Sequence, residues 1–176
     1  MPRRQTGSRV VALASIAGLW VGVGCQSALL PASGGRWVHP QLGYTVDAPA
    51  VSPLVWEALA IDGADLAYRH RDGSSLALMS ECARGPAPPS LLARQLLIGI
   101  GERELIASHP IELGPDSGWK LVFRTLEEER EFTVRAVTLA AGSCTFDWLW
   151  VATGRPAEAV WFDQWWESFQ REGGDR

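Results

Sequence analysis

Residues 117–153, SGWKLVFRTLEEEREFTVRAVTLAAGSCTFDWLWVAT, decide the fold. In SGWKLVFRTL the side chains of Trp119, Leu121 and Phe123 share one parity. So do Phe132, Val134 and Ala136 in REFTVRAVTLA, and Cys144, Phe146, Trp148 and Trp150 in CTFDWLWVAT. Successive side chains of a strand point to opposite faces, so each run reads as a strand with one face turned inward. A charged tip, Glu127-Glu128-Glu129-Arg130-Glu131, joins the first run to the second, and Ala141-Gly142-Ser143 joins the second to the third. Connections this short make antiparallel neighbours, so the stretch is a three-stranded meander. The charged run lacks the spaced Asp/Asn and Gly of a calcium loop and reads as a solvated hairpin tip.

Upstream of the meander, ADLAYRHRDGSSLALMSEC (residues 64–82) reads as a hairpin turning at Asp72-Gly73. GPAPPS then leads into LLARQLLIGIG, where Leu92, Leu96, Leu97 and Ile100 recur at helical spacing. Ser90 is placed to cap that helix, and Gly99 and Gly101 to end it. RELIASHPIEL (residues 103–113) suggests one strand interrupted at Pro110. Toward the N-terminus, RWVHP gives a short strand. GYTVDAP aligns Tyr44, Val46 and Ala48 and stops at Pro49. SPLVWEALAID reads as irregular around Pro53. Downstream, PAEAVWFDQWWESFQ is a closing helix with Pro156 at its start, and Trp161, Phe162, Trp165, Trp166 and Phe169 line one broad face of it. The expected class is therefore α+β, an antiparallel sheet packed between helices.

The first 24 residues form a separate unit. Arg3, Arg4 and Arg9 precede the uncharged run VVALASIAGLWVGVG (residues 10–24), and Cys25 follows at once. A basic start, an apolar run and small residues at the junction make a bacterial export signal. The run is shorter than the ~20 residues of a membrane-spanning helix. Val21-Gly22-Val23-Gly24-Cys25 resembles the lipobox of bacterial lipoproteins, although Gly22 stands where that family usually has Leu. The resemblance implies cleavage before Cys25, acylation of its thiol and a firm membrane anchor. Gln26 at the next position, in place of a retaining Asp, points to the outer membrane, with the domain facing the periplasm. A conventional secretory cut is the alternative. The expected organisation is a signal peptide at 1–24, a Gly/Pro/Ser-bearing tether at 25–35, one domain at 36–172 and a polar tail at 173–176.

Removing Cys25 from the count leaves Cys82 and Cys144. Cys82 ends one strand and Cys144 begins another, each in phase with that strand's inward residues, so antiparallel neighbours would bring both to one end of the sheet. In an oxidising compartment this predicts a disulfide. Two buried free thiols are the alternative.

The order of elements, with GYTVDAP in the opening strand and a W..SF closing helix, resembles the PsbP-like fold of the photosystem II extrinsic subunit and of many small bacterial lipoproteins. The resemblance implies an α/β/α sandwich. It also implies an accessory or binding role, since members mostly act in assembly.

Signs of chemistry are sparse. With 176 residues and 47% hydrophobic content the chain can bury one real core. A net charge of -4, falling to -7 once Arg3, Arg4 and Arg9 are removed, gives no footprint for nucleic acid. His70-Arg71-Asp72 matches a kinase tripeptide, but no phosphate loop accompanies it. Gly114-Pro115-Asp116-Ser117-Gly118 is a turn and not a nucleophile elbow. His39, His70 and His109 are scattered, and no spacing proposes a catalytic, metal or cofactor site. Tryptophan stands out, with nine in all and Trp161, Trp165 and Trp166 clustered as candidates for a binding surface. The expectation is a non-catalytic envelope lipoprotein that scaffolds a protein partner. A carrier of an apolar ligand or lipid is the first alternative, and a hydrolase the second.

Overall fold

The computed structural model describes residues 35–47, 56–82, 87–154 and 160–171. The expected signal peptide, Cys25, all but the last residue of the expected tether, Ala48, Pro49, Pro53, Pro156 and the expected polar tail lie outside them.

Seven strands form the main sheet: β3 (Trp56–Ala58), β4 (Leu66–His70), β5 (Ser75–Cys82), β6 (Arg103–Leu113), β7 (Asp116–Glu127), β8 (Arg130–Ala141) and β9 (Cys144–Thr153). Their spatial order is β3-β4-β5-β9-β8-β7-β6, and every adjacent pair is antiparallel. The meander read from residues 117–153 is the centre and one flank of this sheet. The hairpin at Asp72-Gly73 supplies β4 and β5, and β5 closes against β9.

The expected sheet between helices is corrected by the structure. Strands take 58% of the described residues and helices 12%. Only two short helices are described, α1 (Pro89–Gln95) and α2 (Val160–Glu167). Part of the covering layer is instead a second sheet, β1 (Arg36–Val38), β2 (Tyr44–Asp47) and β10 (Gln170–Arg171), in the order β1-β2-β10. The protein is β-rich, and its α/β/α description does not stand.

Local chemistry explains the departures. Helix α1 starts at Pro89, a favoured first position, but Pro88 precedes it and makes no side-chain cap. Ser90 is therefore inside the helix and not its cap. Beyond Gln95 the chain tightens into i→i−3 bonds, Leu97 to Arg94 and Ile98 to Gln95. The Arg103 guanidinium then donates to the carbonyls of Leu97 and Ile100 at 3.2 and 2.8 Å, closing the turn. Helix α2 ends where the Ser168 hydroxyl donates back to the Trp165 carbonyl at 2.6 Å and accepts the Asp47 amide at 2.9 Å. That contact steers the chain into β10 beside β2, where the sequence suggested continued helix. Pro110 does not interrupt β6, since it pairs opposite Trp119. A proline is tolerated there because β6 is an edge strand, and the register shift falls instead between Leu105 and Ala107.

The two faces of the main sheet are unequal. One carries the large core: Leu66, Leu76, Leu78, Val137, Leu139, Phe146, Trp148 and Trp150 pack under Trp37, Tyr44 and Val46 of the small sheet and Phe162, Trp165, Trp166 and Phe169 at the C-terminal end. The other carries a small cluster in which Ala93 of α1 meets Leu121 and Ala136, with Leu96, Leu97, Trp119 and Leu149 around them.

Candidate functional site

Cys82 and Cys144 are directly opposite in the β5–β9 register, and their sulfurs are bonded at 1.98 Å. Parity had placed both at one sheet end, and the backbone puts them there.

The tryptophan candidates separate. Trp165 and Trp166 are 2% and 6% exposed and belong to the core, so neither offers an open surface. The Trp166 indole N–H donates to Asp163 at 3.1 Å, and the same carboxylate oxygen accepts the Lys120 ammonium at 2.6 Å, which fastens α2 to β7. Trp161 is only partly buried. Its ring lies 4.7 Å from that of Trp150 and 6.5 Å from that of Trp56, and Trp56 in turn lies 5.0 Å from His70. At the inner end of this chain of rings the Arg135 guanidinium carbon sits 5.9 Å from the Trp150 centroid. Neither Trp56 nor Arg135 was singled out from sequence. Trp56 lies within the stretch SPLVWEALAID that reads as irregular, and Arg135 reads as one more polar residue in an alternating strand.

The three histidines do not converge. His39 Nδ1 accepts the amides of Gln41 and Leu42 at 3.2 and 3.0 Å, which leaves the proton on Nε2 to be donated to Asp65 Oδ1 at 3.1 Å. Tyr44 donates to the other oxygen of Asp65 at 2.7 Å. Burial first, then the Asp65 charge and that hydrogen bond, push the Tyr44 phenol above its usual range. With both imidazole nitrogens engaged, His39 has no lone pair for proton abstraction; the trio braces the small sheet against the start of β4. His70 Nδ1 lies 2.8 Å from Asp72 Oδ1 in the β4–β5 turn. Burial opposes ionisation of Asp72, but hydrogen bonds from Ser74 and His70 outweigh it and hold the carboxyl below its usual range. His109 is exposed on the edge strand, opposite Lys120. Among the described residues no three His, Cys, Asp or Glu side chains form a group that could hold a metal ion.

The charged tip is a tight hairpin turn with Glu128 at φ 49° and Glu129 at φ 66°. On the lightly packed face, Asp147 accepts the Thr138 hydroxyl at 2.5 Å. Burial, opposed by that hydrogen bond and aided by the nearby Glu81 charge, raises its carboxyl to about 6.

Comparison with known proteins places the architecture. The fold is similar to the solution structure of cyanobacterial PsbP from Synechocystis, with a TM-score of 0.55 and 16% identity over 85% of this chain and 99% of that one. A crystal structure from Bacteroides thetaiotaomicron matches with a TM-score of 0.56 and 12% identity over 81% of this chain. This chain spans half the length of that protein. At such identities the likeness is one of fold. No family model and no curated protein matches the sequence.

Proposed function

We propose that the chain is an envelope lipoprotein, anchored through Cys25 at the outer membrane and facing the periplasm, whose domain acts without catalysis as an accessory or scaffold for a protein partner. The observation that carries this reading is the filled aromatic core. Phe146, Trp148, Phe162 and Trp165 are at most 2% exposed, with Phe146 ring to ring with Trp148 on β9 and Phe162 with Trp165 on α2. A carrier needs space where these rings sit, whereas a scaffold needs a rigid body with its surface available. The PsbP-like fold agrees with an accessory role.

Two measurements test it. The intact mass of the protein taken from membranes is expected to show a chain beginning at an acylated Cys25. A free thiol or a different cut overturns the anchor. A photo-crosslinking residue at Ser108, on the edge strand β6, is expected to give one discrete adduct with an envelope protein in cells. Absence of an adduct there and at the other edge, Glu57 on β3, overturns the scaffold. Lipid retained by the purified domain in native mass spectrometry would favour the carrier instead.

A further inference from the structure

We propose that Arg135 and the indoles beside it bind a small oxyanion, a carboxylate or a phosphate, whose apolar remainder lies along Trp161 and Trp56. The proposal goes beyond the scaffold reading and needs neither the lipid anchor nor a protein partner.

It starts from the pairing of cations on one sheet face. Arg135 lies opposite Trp150 and Val122, so it shares the aromatic face with Lys120 and Arg124 of β7. Lys120 meets Asp163 at 2.6 Å, and Arg124 meets Glu104 at 3.1 Å and Glu131 at 3.9 Å. Arg135 has no carboxylate among the described residues, and its Nε is buried with no acceptor. A shortage of acids is not the reason, because the chain holds 20 acidic residues against 16 basic ones.

A buried donor without an acceptor costs folding free energy, more so when it carries charge. Trp150 Nε1, across the strand pair from Arg135, is also buried and without an acceptor. The indole alone would not mark a site, since Trp37, Trp148 and Trp165 share that state within the core. The charge of Arg135 sets this place apart. A guanidinium presents Nε–H and one Nη–H in parallel, a fork that matches the two oxygens of a carboxylate or phosphate. The ring series from Trp150 through Trp161 to Trp56 runs from buried to partly buried, so it gives a planar body an aromatic surface leading outward.

The test is an NMR titration of the ¹⁵N-labelled protein, reading the Arg135 Nε–H and Trp150 indole resonances. The probes are inorganic phosphate, phenyl phosphate, benzoate and, as neutral control, benzamide. Phenyl phosphate and benzoate are expected to shift both resonances saturably, and benzamide neither. Arg135→Gln is expected to weaken both by about tenfold or more, the loss of one charge-assisted pair. Trp161→Leu should weaken the aryl probes and leave inorganic phosphate unchanged. The relative affinities of benzoate and phenyl phosphate distinguish a carboxylate ligand from a phosphate. No saturable shift at Arg135, an equal response to benzamide, or shifts spread evenly over other arginines overturns the site. The wild-type titration decides this even if Arg135→Gln fails to fold.

Discussion

The two faces of the seven-stranded sheet are built from alternate residues of the same strands, yet they carry different loads. Toward the small sheet and α2 the strands present Leu78, Phe146, Trp148 and Trp150, all at most 6% exposed. Toward α1 the intervening positions of β5 and β9 are Ala77, Met79, Asp147 and Leu149, all only partly buried. Within β9, Trp148 and Leu149 are adjacent in sequence and belong to different cores. The contrast belongs to β5 and β9, where the aromatic face is closed and the α1 face tolerates polarity and a titrating group. On β7 and β8 the α1 face is itself closed by Leu121, Phe123 and Val134, and the cations Lys120, Arg124 and Arg135 stand on the other face.

The sharpest way to break the comparison is at that adjacent pair. Trp148→Ala is expected to cost ~3–5 kcal/mol, and Leu149→Ala distinctly less, ~1–2 kcal/mol, because its site is only partly enclosed. Denaturant midpoints of the two variants measure the gap, and equal losses would erase the distinction between faces.

A second test lies where the sheet itself is tight. A Cβ on Gly118 would fall 2.6 Å from the Thr138 carbonyl oxygen and 2.9 Å from Ile111 Cγ1. Gly118→Ala should therefore destabilise by ~1–3 kcal/mol, read from the shift in thermal midpoint.

Asp147 sharpens the comparison through pH. Its folded pKa, about 6, lies above the ordinary value, so the native state holds a proton that the unfolded chain releases. Stability from this group is therefore retained at low pH and lost as pH rises from roughly 4 to 6. Asp147→Asn is expected to gain ~1–2 kcal/mol at pH 7, after discounting for partial exposure, and nothing below about pH 4. A gain of the same size at both pH values would mean that charge is not its source.

The smallest effect belongs to the exposed tip between β7 and β8. Glu128 and Glu129 both hold a left-handed backbone that Asn and Gly adopt far more readily. The double change to Asn-Gly should stabilise by ~1 kcal/mol in a chemical melt, with the aromatic face unaltered.

What the sequence made legible follows from strand length. Runs of eight to twelve residues, such as β5, β7 and β8, state their period clearly, and the phase of Cys82 and Cys144 within such runs paired them across 62 positions. Strands β3 and β10, of three and two residues, are too short to show a period, so the sequence shows neither the edge at Trp56 nor the strand that joins β1 and β2, both read as strands, into a separate sheet. The second sheet also explains the overestimate of helix: Phe169 continues the aromatic stripe of α2, but Ser168 has already turned the chain. Arg135 and the Tyr44–Asp65–His39 brace depend on which distant segments become neighbours, and no local pattern reports that. Of the three tryptophans proposed for binding, periodicity could group them but not tell which would be enclosed.

The small sheet has a consequence in time. Strand β2 is held between the first described strand and the last, and the Arg36 guanidinium reaches across it to Gln170 Oε1 at 2.7 Å. A chain made N-terminus first delivers β1 and β2 early, but their third partner emerges only at residues 170–171. The opening hairpin must wait unroofed while the main sheet forms beneath it, and only the arrival of the final turn and strand latches it shut. Contacts of such long sequence separation form late in folding. The segment from α2 through β10 thus acts as the clasp of the small sheet, and a chain released short of Gln170 would carry every large strand and still stand open along β2.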